Sequence, residues 1–348
     1  MNMLLTKEEI KQQTRELWQA CFTDTEDFLD IYFDEKYSDS CNHTLRADGR
    51  VVAATQALPY RMTFYGTVAH AAYISGLCTL EQCRKRGLAS QLLRDTHRSL
   101  YEQGTMLSFL IPGNEDLRHF YEANNHGAYW TATYRKEIEI PETDGYDAKV
   151  EITQPDDWGD DLYVFYRQRT SGQPFMLHPA KNDFYAALAS CDSEEGMVLV
   201  ARRKHRLLGV CLAVVEKDGR CFLRSLLSVD EKVKDCFLHY LKERLSCDHV
   251  YSRIPVPGSA KEAVPYAMAR VIHVEEFLKR VVSIFPALEM HIGVDGDLDI
   301  PENNGYYWLQ DGKVTITDEV PDSIVTPGGL AALFLAANPT TMEMMLDE

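Results

Sequence analysis

Arg84-Lys85-Arg86-Gly87-Leu88-Ala89-Ser90 is the stretch of this chain whose residue types and order bear most directly on chemistry. Three cations precede a glycine and two small residues. The apolar run Tyr73–Leu80 leads into them, and the amphipathic run Leu88–Tyr101 follows. That order reads as strand, basic turn, helix. The first turn of a helix carries backbone N–H groups with no intrahelical acceptor, at the positive end of the helix dipole, so it can hold a phosphate. Gly87 removes the side chain where backbone must approach the anion, and Ala89 keeps the next turn small. By itself the same stretch also fits a helix whose first turn is simply basic.

A second cluster lies one strand further on. Met106–Ile111 is a short apolar run, Pro112-Gly113 punctuates it, and Asn114-Glu115-Asp116-Leu117 opens a helix. Asn114 is placed to cap that helix, with two acids in its first turn. The helix is expected to stop in Asn124-Asn125-His126-Gly127. Asn114, Leu117 and Tyr121 are spaced as in the second motif of the GNAT acetyltransferases, with its glycine, Gly127, a little later than usual, and Arg84-x-x-Gly87-x-Ala89 resembles the pyrophosphate turn of the same family. The two motifs stand in the family's order, separated by a strand.

The formal charge of −17 on 348 residues argues against binding nucleic acid or an anionic membrane, whose phosphates would be repelled. It suits a cationic acceptor, and it equally serves solubility. Hydrophobic residues make up 45% of the chain, enough for packed cores, and the length suggests more than one domain. Nine cysteines, none in a Cys-x-x-Cys pair, fit a reducing compartment better than a disulfide framework. Residues 1–13 carry Lys7, Glu8, Glu9 and Lys11 without a long apolar stretch, so neither a signal peptide nor a membrane span is expected. The expected location is cytoplasmic. The eleven histidines show no metal-ligand spacing, and no metal is expected.

The elements that must position the two motifs follow from periodicity. Residues 6–21 and 24–37 read as amphipathic helices, then 42–46, 51–65 and 70–80 as strands, with a closing strand over 128–140. Pro141-Glu142-Thr143-Asp144-Gly145 reads as a linker, so a first domain is expected over 1–143. From 144 to 285 the outline repeats. Strands 198–204, 207–216 and 220–228 precede a helix over 230–245 and a strand at 249–254. Where the basic turn should be stands Val229-Asp230-Glu231, without glycine, so this copy is expected not to bind CoA. Residues 286–348 read as a small mixed unit: a strand to Val294, a hairpin near Asn304–Ile316 and a helix over 328–338.

The whole layout resembles the Eis-like acetyltransferases. The resemblance implies an α/β (α+β) chain: two tandem GNAT-like mixed-sheet domains, then a small sterol-carrier-like α+β domain. It implies acetyl-CoA as co-substrate and transfer of its acetyl group to the primary amine of a small, cationic acceptor. The turn from Arg84 through Lys85, Arg86, Gly87, Leu88 and Ala89 to Ser90 would hold the pyrophosphate. Backbone groups of Leu77, Cys78 and Thr79 would pair with the pantetheine arm, as an open strand edge pairs with a peptide, and Asn114 would join them. Tyr121 is the implied acid for the departing thiolate; the plainer reading makes Leu117, Phe120 and Tyr121 the apolar face of a helix. In Eis-like enzymes the terminal carboxylate acts as base, which here is that of Glu348, although the ending Met344-Met345-Leu346-Asp347-Glu348 departs from the apolar or aromatic endings of that family. Glu81 is an alternative base, and the acidic tail equally reads as frayed. Oligomers are common in Eis-like proteins, but no residue here demands one. Two other readings compete. One is a non-catalytic small-molecule or lipid-binding protein on the same scaffold; the other is a tandem-GNAT aminoacyl transferase using charged tRNA, against which the net charge counts.

Overall fold

The computed structural model describes residues 5–123, 129–142 and 145–346. The expected helix stop at Asn124–Gly127 and the terminal Glu348 lie outside the described residues. The fold is mixed α+β, with several mixed sheets. Contacts divide the chain into two compact units. The first comprises 1–25, 37–134 and 256–340; the second comprises 26–36, 135–255 and 341–348.

The first unit opens with α1 (Lys7–Cys21), whose Thr6 and Glu9 form a reciprocal cap. Three antiparallel strands follow: β1 (Asn42–Ala47), β2 (Arg50–Phe64) and β3 (Thr67–Thr79). α2 (Leu88–Glu102) then crosses over to β4 (Leu107–Leu110), which lies parallel to β3. α3 (Glu115–Ala123) leads to the short β5 (Trp130–Thr131). β5 does not pair with β4. Between them sits β6 (Met268–Val271), antiparallel to both, so the sheet runs β1-β2-β3-β4-β6-β5.

Beyond β6 come α4 (Val274–Ile284), then β7 (Met290–Val294), β8 (Gly305–Gln310), β9 (Lys313–Thr317) and β10 (Ile324–Val325), which form a second sheet, and last α5 (Pro327–Leu335). α5 is capped by the Thr326 hydroxyl, which accepts from Gly329 N–H at 3.0 Å, with proline at the first helical position. Its Phe334 ring lies 5.4 Å from Phe277 of α4, which in turn lies 5.4 Å from Phe64 of β2. These aromatics tie residues 274–335 to the N-terminal sheet.

The second unit repeats the order of the first. Strands Met197–Arg203, Arg206–Val215 and Cys221–Ser228 are antiparallel neighbours, and the last is parallel to Val250–Val256 after the helix Glu231–Leu245. The strand next to Val250–Val256 is Tyr134–Glu139, all but its first residue assigned to this unit. Residues 341–346 also belong here. Thr341 exchanges backbone hydrogen bonds with Phe175 and Leu177 at 3.0 Å each, and Met344 and Leu346 pack with the core of Leu162, Phe184 and Leu212.

The compact units therefore do not follow the boundaries at 143 and 285 expected from the sequence. The strand expected over 128–140 divides: Trp130–Thr131 stays in the first sheet as β5 and Tyr134–Glu139 joins the second, while β6, expected inside the second domain, joins the first. Both strands are short, and pairing decides which sheet each joins. The expected helix over 24–37 also differs: Glu26–Ile31 is α-helical and Tyr32–Lys36 widens into a π turn, with Lys36 Nζ 2.9 Å from Asp183.

β3 is bulged where it leaves β4. Ser75 pairs with Gln56 and Cys78 with Ala54, so Gly76 and Leu77 together face Thr55 of β2. Gly76 has φ +61°, and a Cβ there would overlap the Trp18 ring of α1. Both demands require glycine. Gly76→Ala is expected to lower stability by about 3 kcal/mol or more, read as a drop in the midpoint of thermal unfolding; an unchanged midpoint would show that the bulge relaxes freely.

Candidate active site

β3 pairs with β4 only through Ala71, Ala72 and Tyr73. From Ile74 to Thr79 its β4 side carries no ladder partner among the described residues, while its other side stays on β2. The bulge at Gly76 turns backbone groups of this segment away from the ladder, which is what an extended ligand needs. Leu77 and Thr79 are half-buried and Cys78 is buried. The carbonyl of Thr79 is already engaged by Arg84 Nε at 3.0 Å.

The basic turn follows directly. Gly87 is the N-cap of α2 in a left-handed conformation, φ +78°, with no side-chain cap on the helix. A Cβ built on Gly87 meets nothing within 4 Å, so there is open space beside Gly87 itself. Leu88, Ala89 and Ser90 are half-buried, and Arg84, Lys85, Arg86 and Gly87 are exposed. The first-turn N–H groups therefore lack a side-chain acceptor and can take an anion. The equivalent helix of the second unit differs. Asp230 caps it, its carboxylate accepting from Val233 N–H at 3.0 Å, so that terminus carries its own anion.

Two expected ligands of the cofactor are engaged elsewhere. Arg84 turns back on the strand end: besides Thr79 O, its Nη2 lies 3.6 Å from Cys21 Sγ. The Cys78 thiol, hydrogen-bonded to that of Cys21, together with Arg84 draws Cys21 down to about 6. Arg84 thus braces the turn and leaves Lys85 and Arg86 as the outward cations. Asn114 is exposed, and its Oδ1 accepts from Leu117 N–H at 2.9 Å, capping α3. Glu81, the alternative base, is exposed in the short turn Glu81–Cys83.

Tyr121 lies at the other side of the β3–β4 opening. It is only 7% exposed, among Ile74, Leu93, Leu110, Met268 and Ile300. Leu117, expected to share its face, is 41% exposed. Burial, and next the neighbouring Tyr129, push the Tyr121 phenol above its ordinary value near 10, so it stays protonated and enters any reaction as a donor. Its ring meets that of Tyr129 edge-on at 5.8 Å, and Tyr129 N–H donates to Tyr121 O at 3.2 Å.

Tyr129 opens onto a buried polar chain that the sequence reading missed. Its hydroxyl lies 2.7 Å from Ser108 Oγ and 2.9 Å from His97 Nε2, and His97 Nδ1 lies 2.7 Å from Asp299 Oδ2. Arg270 of β6 reaches Asp297 at 2.6 Å and Asp299 at 3.6 Å. Asn303 donates to Asp297 at 2.8 Å and to Ile272 O at 2.9 Å. All of these side chains are buried. Arg94 of α2, half exposed, adds a contact of 3.4 Å to Asp299. Burial, and after it the Arg270 charge, hold His97 down at about 4 despite Asp299, so the ring is neutral. A signal did exist: His97 falls four residues after Leu93 and three before Leu100, on the apolar face of α2. Arg270 sits inside the apolar run Met268–Ile272.

Residues 4–127 match the acetyltransferase (GNAT) domain family. Over most of its length the chain is similar in fold to a probable N-acyltransferase from Enterococcus faecalis V583, with TM-score 0.73, 15% identity, and 96% of this chain and 89% of that one covered. It is similar to a GCN5-related N-acetyltransferase from Anabaena variabilis ATCC 29413, with TM-score 0.72, 18% identity and 95% and 88% covered. It is also similar to Eis1 from Mycobacterium abscessus, with TM-score 0.71, 12% identity and 96% and 89% covered. No curated protein matches the sequence itself. Among the described residues no helix is long and apolar enough to cross a membrane.

The neutral His97 has a consequence for stability. Between its ordinary value near 6.5 and its folded value of about 4, the unfolded chain takes up a proton that the folded chain refuses. The contribution is complete above pH 6.5 and is lost as the pH falls toward 4. Chemical denaturation is expected to show stability falling from pH 6.5 to 5 by up to about 1.4 kcal/mol per pH unit from this group, and His97→Gln should flatten that fall. Equal slopes in the two proteins would mean that His97 is not held neutral.

Proposed function

We propose that this protein is an acetyl-CoA-dependent N-acetyltransferase that moves an acetyl group to the primary amine of a small, cationic acceptor by direct attack in a ternary complex. The observation that carries the reading is the uncapped first turn of α2, with an open left-handed Gly87, placed directly after a strand whose edge parts from its neighbour. The pyrophosphate would lie against the N–H groups of Gly87 to Ser90, with Lys85 and Arg86 at its rim. The pantetheine arm would add to the edge of Leu77, Cys78 and Thr79. A backbone N–H turned out by the bulge would stabilise the oxyanion as the amine attacks the thioester carbon.

The tetrahedral intermediate then collapses: the C–S bond breaks and the sulfur leaves with its electron pair. Tyr121, protonated and buried, is the donor for that sulfur, and water is excluded around it. The amine must lose a proton to become a nucleophile. Glu348 is the proposed base, with Glu81 the alternative. The net charge of −17 favours a cationic acceptor such as a polyamine or an aminosugar.

Acetyl-CoA is expected to raise the midpoint of thermal unfolding, by about 2.7 kcal/mol of stabilisation at a hundredfold excess over its dissociation constant. Gly87→Glu, which sets a carboxylate where the pyrophosphate belongs, should abolish the shift. No shift in the wild type at millimolar acetyl-CoA would sink the reading. Tyr121→Phe is expected to lower kcat about 100-fold while leaving acetyl-CoA affinity within twofold; full turnover would remove Tyr121 from the mechanism.

A further inference from the structure

The chain Asp299–His97–Tyr129 runs through the core of the first unit and ends against Tyr121. Its hydrogen-bond directions can be worked out. Asp299 faces Arg270 at 3.6 Å and Arg94 at 3.4 Å, and as a carboxylate it only accepts. His97 Nδ1 has two neighbours, Asp299 Oδ2 at 2.7 Å and Arg270 Nη1 at 3.3 Å. The shorter contact decides: Nδ1–H donates to Asp299, and the guanidinium, a donor itself, is merely adjacent. His97 Nε2 is then an acceptor, and the Tyr129 hydroxyl must donate to it. Ser108 Oγ–H in turn donates to the Tyr129 oxygen. The one proton of Tyr129 is therefore committed to His97 and is not offered to a substrate.

What Tyr129 offers is a fixed ring. Two hydrogen bonds hold its hydroxyl, its backbone N–H holds Tyr121 O at 3.2 Å, and its ring meets Tyr121 edge-on at 5.8 Å. The groups that set this arrangement come from four places: Arg94 and His97 on α2, Ser108 on β4, Arg270 on β6, and Asp297, Asp299 and Asn303 in the segment before β8. We propose that Tyr129, fixed by Ser108 and by the Asp299–His97 pair, is a positioning residue that aims the Tyr121 phenol at the leaving sulfur. The proposal rests on the acetyl-transfer reading. It separates the donor from the device that orients it. Catalysis by a buried phenol depends on such orientation, since a displacement of about 1 Å can cost about 100-fold in rate.

The test is a double-mutant cycle on kcat, following release of the CoA thiol from acetyl-CoA with spermidine or kanamycin as acceptor. Tyr129→Phe keeps the ring and removes the hydroxyl. Alone it should lower kcat about 10-fold with the KM for acetyl-CoA within twofold, and the acetyl-CoA-induced thermal shift should survive. In the Tyr121→Phe background it should change kcat by less than twofold, because the group it aims is gone. A merely structural role would lower kcat equally in both backgrounds, and that additive result overturns the proposal. Ser108→Ala, which removes one of the two hydrogen bonds and leaves the His97 contact, runs through the same cycle. A smaller loss that vanishes in the Tyr121→Phe background supports the proposal even where Tyr129→Phe folds poorly; an additive loss overturns it. A wild type that binds acetyl-CoA but acetylates neither amine overturns the acetyl-transfer reading and this proposal together, whereas an active wild type with additive mutants overturns this proposal alone.

Discussion

A guanidinium shut away from water has to be neutralised where it sits, and Arg270 is shut away completely. Asp297 and Asp299 supply the charge, Asn303 satisfies Asp297, and burial together with the adjacent Arg270 charge keeps His97 neutral. Removing one partner of such a set leaves a buried charge uncompensated, a cost of about 3–5 kcal/mol. Because the members come from β6, from α2 and from the segment before β8, their mutual neutralisation fixes three parts of the chain that are far apart in sequence. β6 lies between β4 and β5, so the same interaction sets how the sheet closes beside Tyr121.

The two units show one topology put to two uses. Each has three antiparallel strands, a crossover helix and a parallel fourth strand, and the first is completed by β6 from a separate segment of the chain. The difference is local. At the start of one crossover helix a left-handed glycine leaves the N–H groups uncapped; at the start of the other, Asp230 satisfies one of them. Two residues thus separate a terminus open to an anion from one that already carries its own. The tail contributes to the second unit through Thr341, Met344 and Leu346, so residues that come last in the chain serve a core assembled earlier in it.

Legibility of the site followed the range of the interactions involved. The turn at Gly87 and the cap at Asn114 are local, decided by residues within four positions of each other, and their types announced them. Asn114 was readable both as a cap and as a ligand, and its geometry is that of a cap. Arg84, expected at the phosphate, contacts Thr79 O and the thiol of Cys21, and Cys21 lies 63 positions away. His97 sat in plain view on the apolar face of a helix. A histidine there is usually a satisfied core residue, and nothing nearby in the sequence named Asp299 or Tyr129 as its partners.

The sequence by itself determined the strand–turn–helix around Gly87, the helix carrying Tyr121, the repeat of the whole outline, and the lack of a glycine turn in its second copy. Those rest on backbone propensity, capping and hydrophobic period, which act over a few residues. Only the tertiary structure decided which short strand completes which sheet, and that residues 256–340 belong with the N-terminal unit. It alone set a neutral histidine between Tyr129 and Asp299. The reason is that strands of four to six residues carry too little local pattern to name the sheet they join. The choice falls to pairing and to charge neutralisation between groups up to about 200 positions apart, such as His97 and Asp299, and a local pattern carries no record of either.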